Sequence, residues 1–316
     1  MIKIFYRSGS EIFFTQSQTE FAAIGKENVL WIDLLEPTGD EKRAVEAFLG
    51  TEIQSRAEAE EIESSSRFYE EDGVIFANTN FLSPANDEMV MDPVSFILCG
   101  GILTTLREMP LRSLTTLQNK IQALPKLFPN GFTVFVEIMD KRVDLDADIV
   151  EIISKETGQM SRRVNQKEDI NEEFLLDINQ LQENTMIVRE NVVDKQRLIS
   201  NILKSKSMPK DRDIAEDLSV ILQDIASLIN HTNFAFERLE YLQDTVVGLI
   251  NLDQNKIMKT FTFISLLLMP ATLVASFYGM NVPLPFQGTW WAALAIFVLM
   301  AGIAFILWRI FRKSGM

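Results

Sequence analysis

The chain has 316 residues, a formal net charge of -14 and a single cysteine. This acidic balance excludes a general nucleic-acid binder, because such a protein needs a basic face to neutralise phosphates. One cysteine excludes an internal disulfide framework and fits a reducing compartment. The length predicts one domain of ordinary size with helical extensions.

The N-terminal part, residues 1–130, alternates apolar runs with turn signals, which predicts a cytoplasmic α/β domain. Strand-like runs lie at residues 2–6, 11–14, 29–34, 74–79, 94–99 and 102–106. A helical pattern covers residues 37–49. The order of these pieces predicts a sheet with helices beside it and leaves the strand topology open. The start of the chain lacks the long apolar core of a signal peptide, so we expect this domain to stay in the cytoplasm.

Residues 131–208 form a second region with a helical pattern, in which apolar residues recur at three- and four-residue spacing. Gly158 and the polar stretch at residues 165–171 predict a break between two antiparallel helices. The aspartates at residues 144–148 have the spacing that begins a calcium loop. Ile149 stands where that loop needs glycine, which excludes the assignment.

A long helix is predicted to begin near Pro209, because no convincing stop signal occurs before residue 277. Gly248 is tolerable inside a helix, and Pro270 need not end one within a membrane. A helix of this length would extend for ~100 Å. Its apolar side needs partners, so we expect it to bundle with neighbouring helices or with copies of itself. Residues 209–256 are its predicted stalk.

Two apolar runs, residues 257–277 and 290–308, are predicted to cross a membrane, since each matches a bilayer core of ~30 Å. Basic residues lie before the first run and after the second, and the connector at residues 278–289 has no charge. The positive-inside rule then places both chain ends in the cytoplasm, including the basic tail at residues 309–316. We therefore expect a multi-pass protein of the cell (inner) membrane with an outward-facing connector.

A stripe of polar and small residues follows the long helix at alternating steps of three and four. It comprises Glu237, Tyr241, Asp244, Gly248, Asn251, Asn255, Met258, Thr262, Ser265, Met269, Thr272 and Ser276. Such a stripe is typical either of helix packing through small residues or of a pore lining. It carries no ionised group within the bilayer, so a divalent cation would pass largely hydrated. Met258 and Met269 are candidates for apolar collars that block flow by dewetting.

The tetrapeptide Tyr278-Gly279-Met280-Asn281 follows the first predicted span directly. Together with residues 252–259 and 269–272, it resembles the CorA family of divalent-cation channels. The resemblance is specific over residues 209–316 and architectural over residues 1–208. It implies an α+β cytoplasmic domain, a long stalk helix and two C-terminal transmembrane helices in a funnel-shaped homopentamer.

The resemblance also implies roles for individual residues. Gly279, Met280 and Asn281 would form an outer selectivity ring supported by Tyr278, and Asn281 would contact the water shell of the ion. The pore-facing positions of the family correspond to Asn255, Met258, Met269 and Thr272, and its bulky gate residue corresponds to Phe261. Thr262 and Ser265 lie on the same stripe.

The resemblance further implies regulation by intracellular magnesium that binds between acidic residues of neighbouring subunits. Asp217 and Asp224 lie seven residues apart on one helix face, and Asp244 lies nearer the membrane. These three are the candidate regulatory ligands. Val220 stands where the family has a sensing acid. The connector also lacks the acidic residues that many members carry.

Three functions fit these observations. The first is a channel that moves magnesium, with cobalt or nickel as further candidates, into the cytoplasm. The second is a zinc transporter of the related branch, with or without proton coupling. The third is a membrane-anchored coiled-coil signalling protein. An enzyme is not expected, because His231 and Cys99 are the only histidine and cysteine and the sequence has no nucleophile motif or phosphate loop.

Overall fold

The computed structural model describes residues 1–54, 67–85, 88–166, 168, 170–280 and 289–313. The chain forms two compact units. The first comprises Met1–Glu168 and Glu172–Gln243, and the second comprises Asp169–Asn171 and Asp244–Met316.

A mixed sheet forms the centre of the first unit. Its strands in chain order are β1 Ile2–Ser8, β2 Glu11–Thr15, β3 Val29–Leu35, β4 Phe68–Glu71, β5 Val74–Ala85, β6 Glu88–Cys99 and β7 Ile102–Arg107. Their spatial order is β2-β1-β3-β7-β6-β5-β4. Only the β3–β7 pair in this described sheet is parallel. All six strand-like runs of the sequence lie within these strands, which confirms a sheet in this region.

The strands are longer and more numerous than the sequence pattern predicts. The pattern missed β4 and the distal halves of β5 and β6. In β6, Pro93 and the polar Asp92 interrupt the apolar run. Pro93 pairs with Asn80 of β5, and the pairing of β6 with β7 begins only at Val94. At Pro93 only β5 lies alongside β6, and proline is tolerated in strands at such edge positions.

The described residues of the two units also form helices. They are α1 Gln18–Ala23, α2 Gly39–Leu49, α3 Arg112–Ala123, α4 Gly131–Gln166, α5 Glu172–Lys204, α6 Arg212–Tyr278 and α7 Trp290–Lys313, with short 3-10 turns at Lys26–Asn28 and Pro125–Leu127. Thr38 and Glu41 form a capping box that starts α2, close to the predicted position. The sequence pattern did not predict α1 or α3.

Both faces of the sheet are covered because successive side chains of a strand point to opposite sides. Ile4 and Ile32 share one core with Val45 of α2. Their neighbours Phe5 and Trp31 stack on the other face at 4.9 Å between ring centroids. On that face Asp33 accepts a 2.9 Å hydrogen bond from Gln118 of α3. The first unit therefore has helices on both sides of its sheet.

The helices α4 and α5 run antiparallel, as two contacts along their length show. Arg163 lies over the ring of Phe174 near the connection, at 4.5 Å. Farther away, Lys195 contacts Asp146 at 2.9 Å. The break predicted at residues 165–171 is confirmed by the gap between the two helices. Gly158 does not break α4, which continues to Gln166, so that part of the prediction is wrong.

A buried cluster of charged side chains joins these two helices to the β5–β6 hairpin. Asp146 pairs with Arg142 at 2.7 Å and with Lys195, and all three side chains are at most 5% exposed. Arg142 also donates to the carbonyl oxygen of Leu82 at 2.7 Å. Asn191 donates to the carbonyl oxygen of Asn80 at 2.9 Å. Each buried charge therefore has a partner, as burial of a charge requires.

Cys99 is the last residue of β6 and is half-buried against the core that includes α2. Burial raises the pKa of its thiol, and the positive charge of Lys26 offsets only part of that effect.

Candidate functional site

The helix α6 is continuous from Arg212 to Tyr278, which confirms the prediction of one long helix without an internal stop. Pro270 lies inside the helix and does not end it. Because proline has no N–H, the carbonyl oxygen of Leu266 loses its usual helical donor. That oxygen is a local acceptor within the predicted span.

Polar and sulfur-containing side chains of the stripe are exposed along the part of α6 in the second unit. Asn255, Thr262 and Thr272 are exposed, and Ser265 is half-buried. Met258 is 62% exposed and Met269 is 63% exposed. Phe261 is 69% exposed, so exposure does not rank it against Met258 as the gate residue.

Two threonine hydroxyls of the stripe bond to the helix itself. Thr262 donates to the carbonyl oxygen of Met258 at 2.8 Å, and Thr272 donates to that of Leu268 at 3.0 Å. With its proton used in this way, each hydroxyl oxygen presents only lone pairs outward. The water shell of a cation directs its hydrogen atoms outward. The stripe therefore offers acceptors that suit a hydrated cation.

The end of α6 is tightly packed. Gly279 donates from its backbone N–H to the carbonyl oxygen of Ala275 at 2.9 Å, and Met280 donates to that of Phe277 at 3.4 Å. A Cβ atom added at Gly279 would lie 3.1 Å from the Ala275 oxygen, which is closer than an ordinary contact. Tyr278 packs edge-on against Phe277 with 5.8 Å between ring centroids. Glycine at position 279 thus allows this turn to close without crowding.

Asn281, the candidate ligand for the ion's water shell, lies outside the described residues, as does the connector through residue 288. Its role therefore stays a prediction. Met280 is the last described residue before it and is 50% exposed.

The candidate regulatory acids occupy exposed positions on α6. Asp217 lines a cavity of about 360 Å³ together with Glu137 and Asp140 of α4. These two acids were missed by the sequence analysis, because no local pattern brings α4 beside α6. Asp224 is exposed in the first unit, and Asp244 is exposed in the second.

Within the part of the chain that the structure describes, no three acidic, histidine or cysteine side chains lie close enough to hold a metal ion. The predicted regulatory site requires ligands from neighbouring subunits, so it stays a prediction.

Among the described residues, two helices are apolar and long enough to cross a bilayer. They are Arg212–Tyr278 and Ala293–Ile310 of α7, and each contains an apolar stretch of 18 residues with at most two charged side chains. No residue of these apolar stretches is buried in the single chain. Exposed apolar surface of this extent is unfavourable in water and favourable in lipid.

Comparison with known proteins identifies the family. A family model described as "CorA-like Mg2+ transporter protein" matches residues 26–313. A magnesium transport protein CorA from Wolinella succinogenes is 36% identical over 259 residues, which cover 80% of each chain. Another from Escherichia coli K12 is 31% identical over 283 residues, which cover 88% of this chain and 89% of that relative.

Solved structures have the same fold at low sequence identity. The complete CorA magnesium transporter from Methanocaldococcus jannaschii superposes with a TM-score of 0.81 at 17% identity, over 99% of this chain and 98% of that one. The full-length CmaX protein gives 0.73 at 14% identity, over 100% and 98%. The cytoplasmic domain of ZntB from Vibrio parahaemolyticus gives 0.57 at 15% identity, over 80% and 98%.

These likenesses confirm the predicted fold class, a sheet-containing domain with a long helix and a C-terminal apolar helix. The family model covers most of the residues, and the relatives exceed 30% identity over most of their length. The chain therefore belongs to the CorA family.

Proposed function

We propose that the protein is a membrane channel that moves magnesium into the cytoplasm down its electrochemical gradient. The observation that carries this proposal is the exposed stripe of α6, whose threonine hydroxyls donate to their own helix and present oxygen lone pairs outward. Relatives at 36% and 31% identity carry the name magnesium transport protein. Magnesium releases its water reluctantly, so a lining of neutral acceptors suits its passage as a hydrated ion.

The proposed division of labour follows the sequence boundaries. The proposed parts begin with the cytoplasmic domain at residues 1–130, the helical extension at 131–208 and the stalk at 209–256. The pore-lining span at 257–277, the outer connector at 278–289, the second span at 290–308 and the basic tail at 309–316 follow. In this arrangement both termini lie in the cytoplasm, because basic residues precede the first span and follow the second. The connector then faces outward.

Self-assembly into a homopentamer is part of the proposal, since one helix cannot enclose a pore. Two aromatic side chains of α6 support assembly. Phe234 is 66% exposed and Tyr241 is 70% exposed, on a helix whose Leu239 and Leu242 are buried. Large exposed aromatic residues on one helix face mark an interaction surface. Copies of the same helix would cover them.

The selectivity ring is assigned to Gly279, Met280 and Asn281, with Tyr278 in support. The uncharged connector leaves the outward end of α6 as the local source of negative potential. Its last carbonyl groups carry partial negative charge, and five such ends around one axis would attract cations. The side-chain oxygen of Asn281 would accept hydrogen bonds from the hydration water.

Flux through liposomes tests the ion and the mechanism together. The purified full chain is reconstituted, and influx of magnesium and of zinc is followed with and without an imposed pH gradient. We expect magnesium influx that is independent of the pH gradient. Zinc influx that follows the proton gradient would instead assign the protein to the zinc-transporting branch.

The variant Asn281→Ala, measured in the same liposome assay, tests the role of this one residue. We expect this variant to assemble normally and to lose magnesium influx, because the contact to the water shell is removed from every subunit. Normal influx through Asn281→Ala would remove the asparagine from the selectivity ring while leaving the transport assignment intact.

A further inference from the structure

A cavity of about 620 Å³ in the first unit has a charge opposite to that of the protein as a whole. It lies between the start of β4 and the C-terminal half of α5, with Leu222 of α6 on one wall. Three cationic side chains line it, Arg67, Arg197 and Lys204, against one acid, Asp194. The chain itself has a net charge of -14.

Asp194 neutralises only part of this positive charge. One of its oxygens pairs with Arg67 at 2.7 Å, and the other lies 3.7 Å from Arg197. A guanidinium has five N–H donors, so among the described residues the single carboxylate of Asp194 engages only part of the donors of the two arginines. Arg197 is 67% exposed and Lys204 is exposed, so both can reorient toward an incoming anion.

Two other cavities of the same unit have an acidic lining, whereas a third has three basic residues against two acids. One is lined by Glu137, Asp140 and Asp217. Another, of about 700 Å³, is lined by Glu52 and by the two acids at residues 71–72. The positive lining therefore does not follow from the general composition of the surface.

The remaining walls of the cationic cavity suit a planar organic group. The ring of Phe68 and the side chain of Leu198 provide apolar surface, and Gln196, Ser200 and Asn201 provide neutral hydrogen-bonding groups. The volume falls in the range of sites for small organic ligands, roughly 300–1,000 Å³. Arginine binds phosphate in a bidentate manner, and an aromatic ring can stack on a nucleobase.

We propose that this cavity binds a nucleoside polyphosphate, with the phosphates on Arg197 and Lys204 and the base on Phe68. The site lies wholly within the first unit and does not depend on the transport proposed above. Failure of either proposal therefore leaves the other standing.

The test is calorimetric titration of ATP into the full chain in detergent, with divalent cations removed by a chelator. The paired variant Arg197→Gln with Lys204→Gln removes two positive charges and retains Arg67, which is the nearer partner of Asp194. We expect its affinity for ATP to fall by roughly tenfold or more, because charge-assisted hydrogen bonds to phosphate are lost. Lys155→Gln with Arg162→Gln, on an exposed part of α4, is the matched control and should bind ATP as the parent does.

The variant Phe68→Leu tests whether the base of the nucleotide stacks on the ring of Phe68. Because stacking of a base on an aromatic ring stabilises the complex, we expect ATP to bind this variant about fivefold more weakly or worse. Inorganic pyrophosphate has no base, so its affinity should be unchanged. No heat of ATP binding to the parent chain, or equal loss in the control pair, would overturn the site. Pyrophosphate that binds as tightly as ATP would overturn the nucleoside assignment. Far-UV circular dichroism of each variant checks that the fold is retained.

Discussion

Gly279 shows how one missing methyl group decides the geometry at the end of α6. A Cβ atom there would lie 3.1 Å from the carbonyl oxygen of Ala275. The helix end would have to shift by a few tenths of an ångström, and the residues that follow would move with it. In the proposed channel those residues include Asn281.

We expect Gly279→Ala to lower magnesium influx by roughly tenfold, which corresponds to about 1.4 kcal/mol. Liposome flux measures the effect, and size-exclusion chromatography checks that the assembly is unchanged. Gly302→Ala is the matched control, because a Cβ atom in that part of α7 meets no atom within 4 Å. If both variants conduct like the parent protein, the packing at position 279 has no role in conduction.

Lys195 is a second residue whose environment has a measurable consequence. Its side chain is fully buried, and burial lowers its pKa to about 8 despite the attraction of Asp146. The unfolded chain has a lysine pKa near 10.4. Between these values the unfolded state binds more protons than the folded state, so the free energy of unfolding rises with pH from about 8 to about 10.4.

Substitution of Lys195 by methionine removes this pH dependence. We expect the parent chain to gain up to about 3 kcal/mol relative to Lys195→Met as the pH rises from 8 to 10.4. Urea unfolding of the full chain in detergent, followed by near-UV circular dichroism at several pH values, measures the difference. A constant difference across this range would mean that Lys195 titrates alike in the folded and unfolded chain.

At the level of elements, α6 combines two different surfaces on one helix. Its threonine hydroxyls present acceptor oxygens, and its methionines present apolar surface that is more than 60% exposed. In the proposed assembly, five copies of Met258 would surround the pathway and exclude water when the helices are close. Water is lost readily from a narrow apolar constriction, which stops hydrated ions.

Met258→Ser is expected to raise magnesium flux under conditions that hold the parent channel closed, because a hydroxyl keeps the constriction wet. Flux into liposomes preloaded with magnesium measures the change. Leu267→Ser introduces the same hydroxyl on the opposite side of the same helix and should leave the closed state tight. Equal leak through both variants would point to a general loosening of the span instead of an apolar gate at Met258.

The sequence predicted elements whose signals are local. The length of α6 followed from the absence of stop signals, and the strand-like runs followed from short apolar segments. Elements whose stability comes from tertiary contacts were missed. The distal half of β6 carries Asp92 and Pro93 and is held by pairing with β5. The pair formed by Asp146 and Lys195 joins residues 49 positions apart, and no local pattern indicates it.

The candidate site divides in the same way. The stripe on α6 could be read from helical periodicity, and the structure places its members on exposed or half-exposed positions. The proximity of Glu137 and Asp140 to Asp217 could not be predicted from periodicity, because it depends on how α4 lies against α6. The direction of the threonine hydrogen bonds is likewise a matter of side-chain conformation, which periodicity does not determine.

For the whole molecule, the acidic charge has a consequence for regulation. Each copy carries a net charge of -14, so an assembly of copies would repel itself unless cations bind between them. Magnesium entering the cytoplasm would supply such cations. Bridging between subunits by Asp217 and Asp224 would then favour the closed arrangement when internal magnesium is high.

We expect Asp217→Asn with Asp224→Asn to weaken inhibition by internal magnesium, because the attraction for a bridging cation is lost. The internal concentration that halves influx should rise by roughly threefold or more, a coupling change near 0.7 kcal/mol. Asp148→Asn with Asp177→Asn removes the same charge from exposed positions on other helices and should leave inhibition unchanged. If the two pairs behave alike, the effect reports net charge and the sensor lies elsewhere.

The half-buried position of Cys99 has a practical consequence for site-directed labelling. Thiol reagents attack the thiolate, and a raised pKa leaves little thiolate at neutral pH. A cysteine introduced at exposed Asn255 should therefore react with maleimide probes well before the native one does. Distances between fluorophores on neighbouring copies could then be measured without first replacing Cys99.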